Sequence, residues 1–147
     1  MESQLAERII EGHTYSISTV LAKMNLDVIH GYLSSSYWAK GRTKETLEKA
    51  LENSLNFGLF KDGKQVGFAR VITDFATFSY LADVFVLKEE RGLGLGKWLI
   101  QVVVHHPDLQ LEKGFLLLTK DAQEFYQQHG FSVFANPKRV MHRPSIS

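Results

Sequence analysis

The chain has 147 residues, 44% hydrophobic and 22% charged, the length and balance of a folded domain with its own core. Seventeen lysines and arginines stand against sixteen aspartates and glutamates, so no global basic field favours nucleic acid or an anionic membrane surface, and any anion site has to be local. The absence of cysteine excludes a disulfide scaffold, thiolate metal ligation and a cysteine nucleophile.

Residues 1–12 read as a short polar lead, after which "HTYSISTV" alternates Tyr15, Ile17 and Thr19 as a first strand. Leu26, Ile29 and Leu33 recur at helical spacing after Asn25, and Leu47, Leu51 and Leu55 recur after Thr43, giving two capped helices joined by the loop "AKGR". Two β-rich runs then flank Lys61-Asp62-Gly63-Lys64, which is hairpin-turn chemistry. The run "TFSYLADVFVL" is mostly apolar on both faces, as a central strand is, and leads into the glycine loop "EERGLGLGKWL". From about Gly94 to His106, Leu95, Leu99, Val102 and Val103 form a helical stripe that Pro107 brings to an end. A short buried strand "FLLLT" follows. Asp121 is placed to cap a helix from about Ala122 to His129, Gly130 to end it, and Phe131 to Phe134 to return as a strand. The tail carries Pro137 and Pro144 and reads as irregular. No apolar run reaches about 18 residues and no basic leader precedes an apolar segment, so the expectation is one soluble, cytoplasmic domain over residues 1–147.

The sequence strand, glycine loop, helix makes an anion cradle, because backbone N–H groups at a helix N-terminus face the anion and glycine lets the main chain approach it. A Walker A loop fails on spacing, since Gly92 is too close to Gly96 and Trp98 follows Lys97 where Ser or Thr is needed. A dinucleotide fingerprint fails too, because Gly92, Gly94 and Gly96 give GxGxG and two helices and a hairpin precede them. A glycine turn without a ligand stays open on the glycines alone. His30, His105, His106 and His129 show no metal-ligand spacing.

Arg91-Gly92-Leu93-Gly94-Leu95-Gly96 matches in full the R/Q-x-x-G-x-G/A motif of the GNAT N-acetyltransferases, and "LADVFVLKEERGLGLGKWL" and "DAQEFYQQHGF" resemble the strand, loop and helix and the later segment of that family. The resemblance runs over about residues 13–142. Three positions depart from it: Lys88, Glu90 and Leu93 replace a frequent proline, aromatic and basic residue. It implies an α/β fold with a mixed, mostly antiparallel sheet flanked by helices and split at the cofactor site. It also implies acetyl-coenzyme A as cofactor, direct acetyl transfer to a primary amine of a small molecule or peptide, no nucleic acid or membrane partner, and room for a homodimer. A non-catalytic acyl-coenzyme A sensor of the same fold is the rival.

By the same resemblance, Arg91, Gly92, Leu93, Gly94, Leu95, Gly96 and Lys97 hold the pyrophosphate. Phe85, Val86, Leu87, Thr119 and Phe125 line the rest of the cofactor, and Tyr126 donates to the sulfur, with core packing as its alternative. Asp83 is the only charged residue between Phe75 and Leu87, and strand alternation puts it on one face with Leu81 and Phe85. It is a candidate base or amine binder, or else the partner of Arg70 or Arg42. Tyr37, Trp38 and Arg42, before the second helix, are candidates for the acceptor side, where an aromatic wall can hold an amine; helix-end packing is the alternative for the two aromatics.

Overall fold

In the computed structural model, which describes residues 2–146, six strands form one sheet in chain order: β1 (Gln4–Ile10), β2 (His13–Ser18), β3 (Leu55–Lys61), β4 (Lys64–Thr73), β5 (Ser79–Val86) and β6 (Phe115–Leu116). The first five pair antiparallel, and β6 pairs parallel with β5 because a helix crosses between them. Four α-helices accompany the sheet: α1 (Leu26–Leu33), α2 (Lys44–Glu52), α3 (Leu95–Val104) and α4 (Gln123–Gln127).

The caps and turns form as their residue types dictate. The side chain of Asn25 accepts from Val28 N at 3.0 Å and that of Thr43 from Thr46 N at 3.1 Å, each satisfying an orphan donor of a first helical turn. Asp62 and Gly63 both take positive φ, as a two-residue hairpin turn requires. One face of the sheet buries Ile17, Phe57, Leu59 and Val71 under Leu95, Leu99, Ile100 and Val103 of α3, whereas Val102 is only partly buried. The other face buries Phe68 and Phe85 under Ile29 and Leu33 of α1 and Leu47 and Leu51 of α2. Each fully buried Leu or Ile contributes about 2 kcal/mol of hydrophobic stabilisation.

Several elements depart from the sequence reading. The polar lead is strand β1, joined to β2 through Glu11 and Gly12 at positive φ; as an edge strand with exposed Glu7, Arg8 and Ile9 it shows no apolar alternation. The first helix stops at Leu33, so its connection to α2 spans residues 34–43, and Leu55 opens β3 instead of closing a helical stripe. The strand in "FLLLT" is confined to Phe115–Leu116 and is half-buried. Helix α4 has Ala122 as its N-cap and no side-chain cap, from Asp121 or any other residue; Thr119 Oγ1 instead accepts from Ala122 N at 3.0 Å in the turn that precedes it. Phe131 to Phe134 form no strand: Phe131 packs by its ring against Phe115 and Tyr126, while Val133 and Phe134 are exposed.

Two features of β5 set up the site. Asp83 sits at φ 55° in a register shift against β4, where Phe68 faces Phe85 but Arg70 faces Ala82. Such a bulge resets the alternation, so Leu81 belongs to the α3 face and Phe85 to the α1–α2 face, contrary to the single face expected from simple alternation. Strand β6 pairs only with Ser79 and Tyr80, so from Leu81 onward that edge of β5 has no strand partner among the described residues. The sheet is thus split along the second half of β5.

Candidate active site

At the end of β5 the chain turns through Lys88–Glu90 and enters α3 across the glycine loop. Gly94 is the N-cap of α3, at φ 73°, and no side chain caps the helix; its first intrahelical bond is Trp98 N to Gly94 O. The N–H groups of Leu95, Gly96 and Lys97 are therefore left facing outward with the positive end of the helix dipole. A Cβ built on Gly92 or Gly94 meets nothing within 4 Å, so the space in front of this turn is open. Val86, Glu90, Arg91, Gly92, Gly94, Leu95, Gly96, Lys97, Phe125 and Gln128 line the resulting cleft of about 280 Å³. A diphosphate fits this set: free main-chain donors, no competing cap and open room. Gly94→Glu, which puts a carboxylate and a strained φ into that room, should abolish coenzyme A binding by calorimetry while the helical circular dichroism is retained.

The loop is held from behind. Arg91 donates from Nε to Val86 O at 3.3 Å and from Nη2 to the Tyr32 hydroxyl at 2.9 Å, and Tyr32 stacks on Phe85 at 4.2 Å between centroids. Arg91 thus ties the loop to β5 and α1, and Lys97 adds a second exposed cation to the cleft. Glu90 is buried beneath: it accepts from the Tyr15 hydroxyl at 2.9 Å and pairs with Lys61 at 3.4 Å. Burial, aided by the Glu90 carboxylate, pushes the Tyr15 phenol up. Neither Tyr32 nor the Tyr15–Glu90–Lys61 set is marked in the sequence, because each joins elements far apart in the chain.

Of the main-chain positions at the end of β5, Leu87 N–H bonds Val66 O on the β4 side. Backbone direction alternates along a strand, so Val86 presents its N–H to the unpaired edge, its C=O accepting from Arg91, and Phe85 faces β4. Phe125 joins the cleft through α4, whereas Thr119, in the turn before α4, lies with Tyr126 on a second, larger cavity of about 550 Å³ that also involves Leu118, Phe131 and Phe134.

The remaining candidates come together beyond α4. The Tyr126 hydroxyl has no hydrogen-bond partner among the described residues; burial, with a smaller contribution from the Tyr37 phenol, pushes it up to about 12. Tyr37 accepts from Lys120 N at 3.1 Å, carries Lys120 Nζ 5.5 Å above its ring, and meets Trp38 edge-on at 5.2 Å. Trp38 donates from Nε1 to Asp83 Oδ1 at 3.0 Å. Asp83 Oδ2 accepts from Arg42 Nη1 and from Arg70 Nε, both at 2.8 Å, and the Asp83 side chain is 1% exposed. The bulge therefore aims Asp83 into an ion-paired node that fixes the loop of Trp38 and Arg42 to the sheet. Tyr37 and Trp38 stay exposed, at 57% and 41%, which packing residues of a helix end would not be. Among the described residues no group of acidic and histidine side chains is arranged to hold a metal ion, and no helix is long and apolar enough to cross a membrane.

A mixed sheet opened beside a capless, glycine-lined helix N-terminus, with a half-buried phenol beyond it, defines an α/β protein with the chemistry of an anion cradle. The sequence matches the family model of the acetyltransferase (GNAT) domain over residues 52–133, and the chain belongs to this family of acetyltransferases. It is similar to a Gibberella zeae protein named as an acetyltransferase, at 35% identity over an alignment of 109 residues that covers 60% of this chain; the chain spans 62% of that relative's length. A Xanthomonas campestris protein named as a GNAT-family acetyltransferase has a crystal structure with a TM-score of 0.85 and 44% identity, covering 89% of this chain and 93% of that one. The fold is also shared with a Clostridium acetobutylicum acetyltransferase structure with acetyl-CoA, with a TM-score of 0.62 and 12% identity over 88% of this chain and 99% of that one.

Proposed function

We propose that the protein is an acetyl-coenzyme A-dependent N-acetyltransferase that passes an acetyl group directly to a primary amine of a small molecule or peptide, acting in the cytoplasm as one catalytic domain. One observation carries the reading: adjacent residues of α4 serve the two halves of the task, Phe125 lining the glycine cleft and Tyr126 offering an unpartnered phenol beyond it. The Clostridium structure with acetyl-CoA supports the cofactor.

When bound, acetyl-coenzyme A supplies an activated thioester. The main chain from Gly92 to Lys97 binds its diphosphate, and the open edge at Val86 orients the arm. Tyr126 holds the proton that the departing thiolate needs; with its phenol pushed up to about 12, it stays a donor through neutral and alkaline solution. Asp83 acts as a positioning residue, because its oxygens already serve Trp38, Arg42 and Arg70. Tyr37, Trp38 and Arg42 wall the acceptor side.

Thiol release from acetyl-coenzyme A across a broad panel of primary amines tests the reading, with turnover on at least one expected. Coenzyme A binding without turnover on any amine would convert it to that of an acyl-coenzyme A sensor.

A further inference from the structure

The charges around the acceptor side are unbalanced. Arg42 and Arg70 both bond a single carboxylate, Asp83, whose third partner Trp38 meets Tyr37 edge-on, and Lys120 Nζ lies 5.5 Å above the Tyr37 ring. Asp74, on the β4–β5 turn, is occupied within that turn by Ala76 N, Thr77 N and the Thr77 hydroxyl. Arg70 is buried and bound at Nε to Asp83 and at Nη1 to Ser54 Oγ. Arg42 differs: one nitrogen of its fork reaches Asp83, Nε and Nη2 have no partner among the described residues, and its side chain is 21% exposed.

From this we infer that the acceptor is a primary amine that also carries a carboxylate, the chemistry of an amino acid, with the open side of the Arg42 guanidinium as the carboxylate's partner. The inference rests on the transferase reading and narrows its substrate. A fork already fixed at one corner by Asp83 is pre-oriented to give two parallel N–H bonds to a planar carboxylate. The same excess of positive charge disfavours an ammonium, so it drives the bound amine toward the neutral, nucleophilic form. A diamine such as cadaverine would meet that excess twice with no compensating anion. Tyr37 and Trp38, exposed beside Arg42, offer apolar faces to the rest of the molecule.

Matched pairs that differ only in the carboxylate provide the test: L-phenylalanine against phenethylamine, L-leucine against isoamylamine and L-lysine against cadaverine, each read as kcat/KM from thiol release. The carboxylated member should be favoured by about tenfold or more, as for a charge-assisted hydrogen bond. Arg42→Gln should erase the preference by raising KM for the carboxylated member, and Arg42→Lys should restore part of it. Coenzyme A affinity of both variants, measured by calorimetry, should be unchanged, which shows that they fold. Equal rates within the pairs, or a preference for the decarboxylated member, overturns the inference and leaves the transferase reading standing. Equal loss on both members in a folded Arg42→Gln variant also overturns it. Silence of both members of every pair and of the broad amine panel, with coenzyme A still bound, overturns the transferase reading itself.

Discussion

Tyr126→Phe should lower kcat about 100-fold or more and leave the dissociation constant for coenzyme A unchanged. The variant removes one hydroxyl that has no protein partner, so no buried group is orphaned and the ring keeps its edge contacts with Phe125 and Phe131. What is lost is a proton donor to a leaving group, an effect of about 10²–10⁴ in rate. The pH dependence follows from the raised phenol. A free tyrosine ionises near 10, but this one holds its proton to about 12, so kcat should show no loss from tyrosine ionisation up to about pH 11. The unfolded chain does release that proton near pH 10, so the folded state binds more protons above this point and stability falls as pH rises from 10 toward 12. A Phe variant with full activity would remove Tyr126 from its role, and an ionisation seen near pH 10 in the rate profile would contradict its burial.

Asp83→Ala should cost about 3–5 kcal/mol, because it leaves the buried Arg70 guanidinium without its anion. For a chain of this length the melting temperature falls by about 10 °C or more, readable by calorimetry. The same change frees Trp38 and Arg42 from the sheet, so KM for the acceptor should rise while coenzyme A affinity is kept. Asp83→Asn separates positioning from proton transfer. With its single oxygen at the Oδ2 place it still accepts from Arg42 and Arg70 and loses the Trp38 bond, so it should recover part of the stability and of the acceptor KM together. If Asp83 were instead the base, Asn would recover stability and remain inactive.

How far the sequence was legible depends on how local each feature is. The Asn25 and Thr43 caps, the Asp62-Gly63 turn and the glycine loop are decided within a few residues, and the structure builds them as their chemistry dictates. Strand β1 was hidden because an edge strand needs no apolar face, and Phe131 to Phe134 misled because strand-forming residue types do not by themselves make a ladder: Phe131 packs by its ring while Val133 and Phe134 stay exposed. The bulge at Asp83 has no glycine to mark it; Asp tolerates positive φ, and only the register with β4 reveals that Leu81 and Phe85 part company. The cradle and Tyr126 lie inside residues 52–133, where the family match falls, whereas Tyr37, Trp38 and Arg42 lie before it. The acceptor side was accordingly readable as a set of residue types, and its ion-paired geometry only from the fold.

The Tyr15–Glu90–Lys61 contact bears on how the protein reaches its working form. Tyr15 and Glu90 are 75 residues apart, and Lys61 lies on a third strand, so the anchor under the glycine loop closes only after β2, β3 and β5 have been assembled. Contacts of such long sequence separation are entropically costly to close early, and the loop should be among the last parts to become rigid on the folding route. The glycine segment lifted into another protein would keep its turn but not the footing beneath it. Ligand-competent geometry here is a property of the completed sheet, and coenzyme A binding can serve as a late reporter of folding.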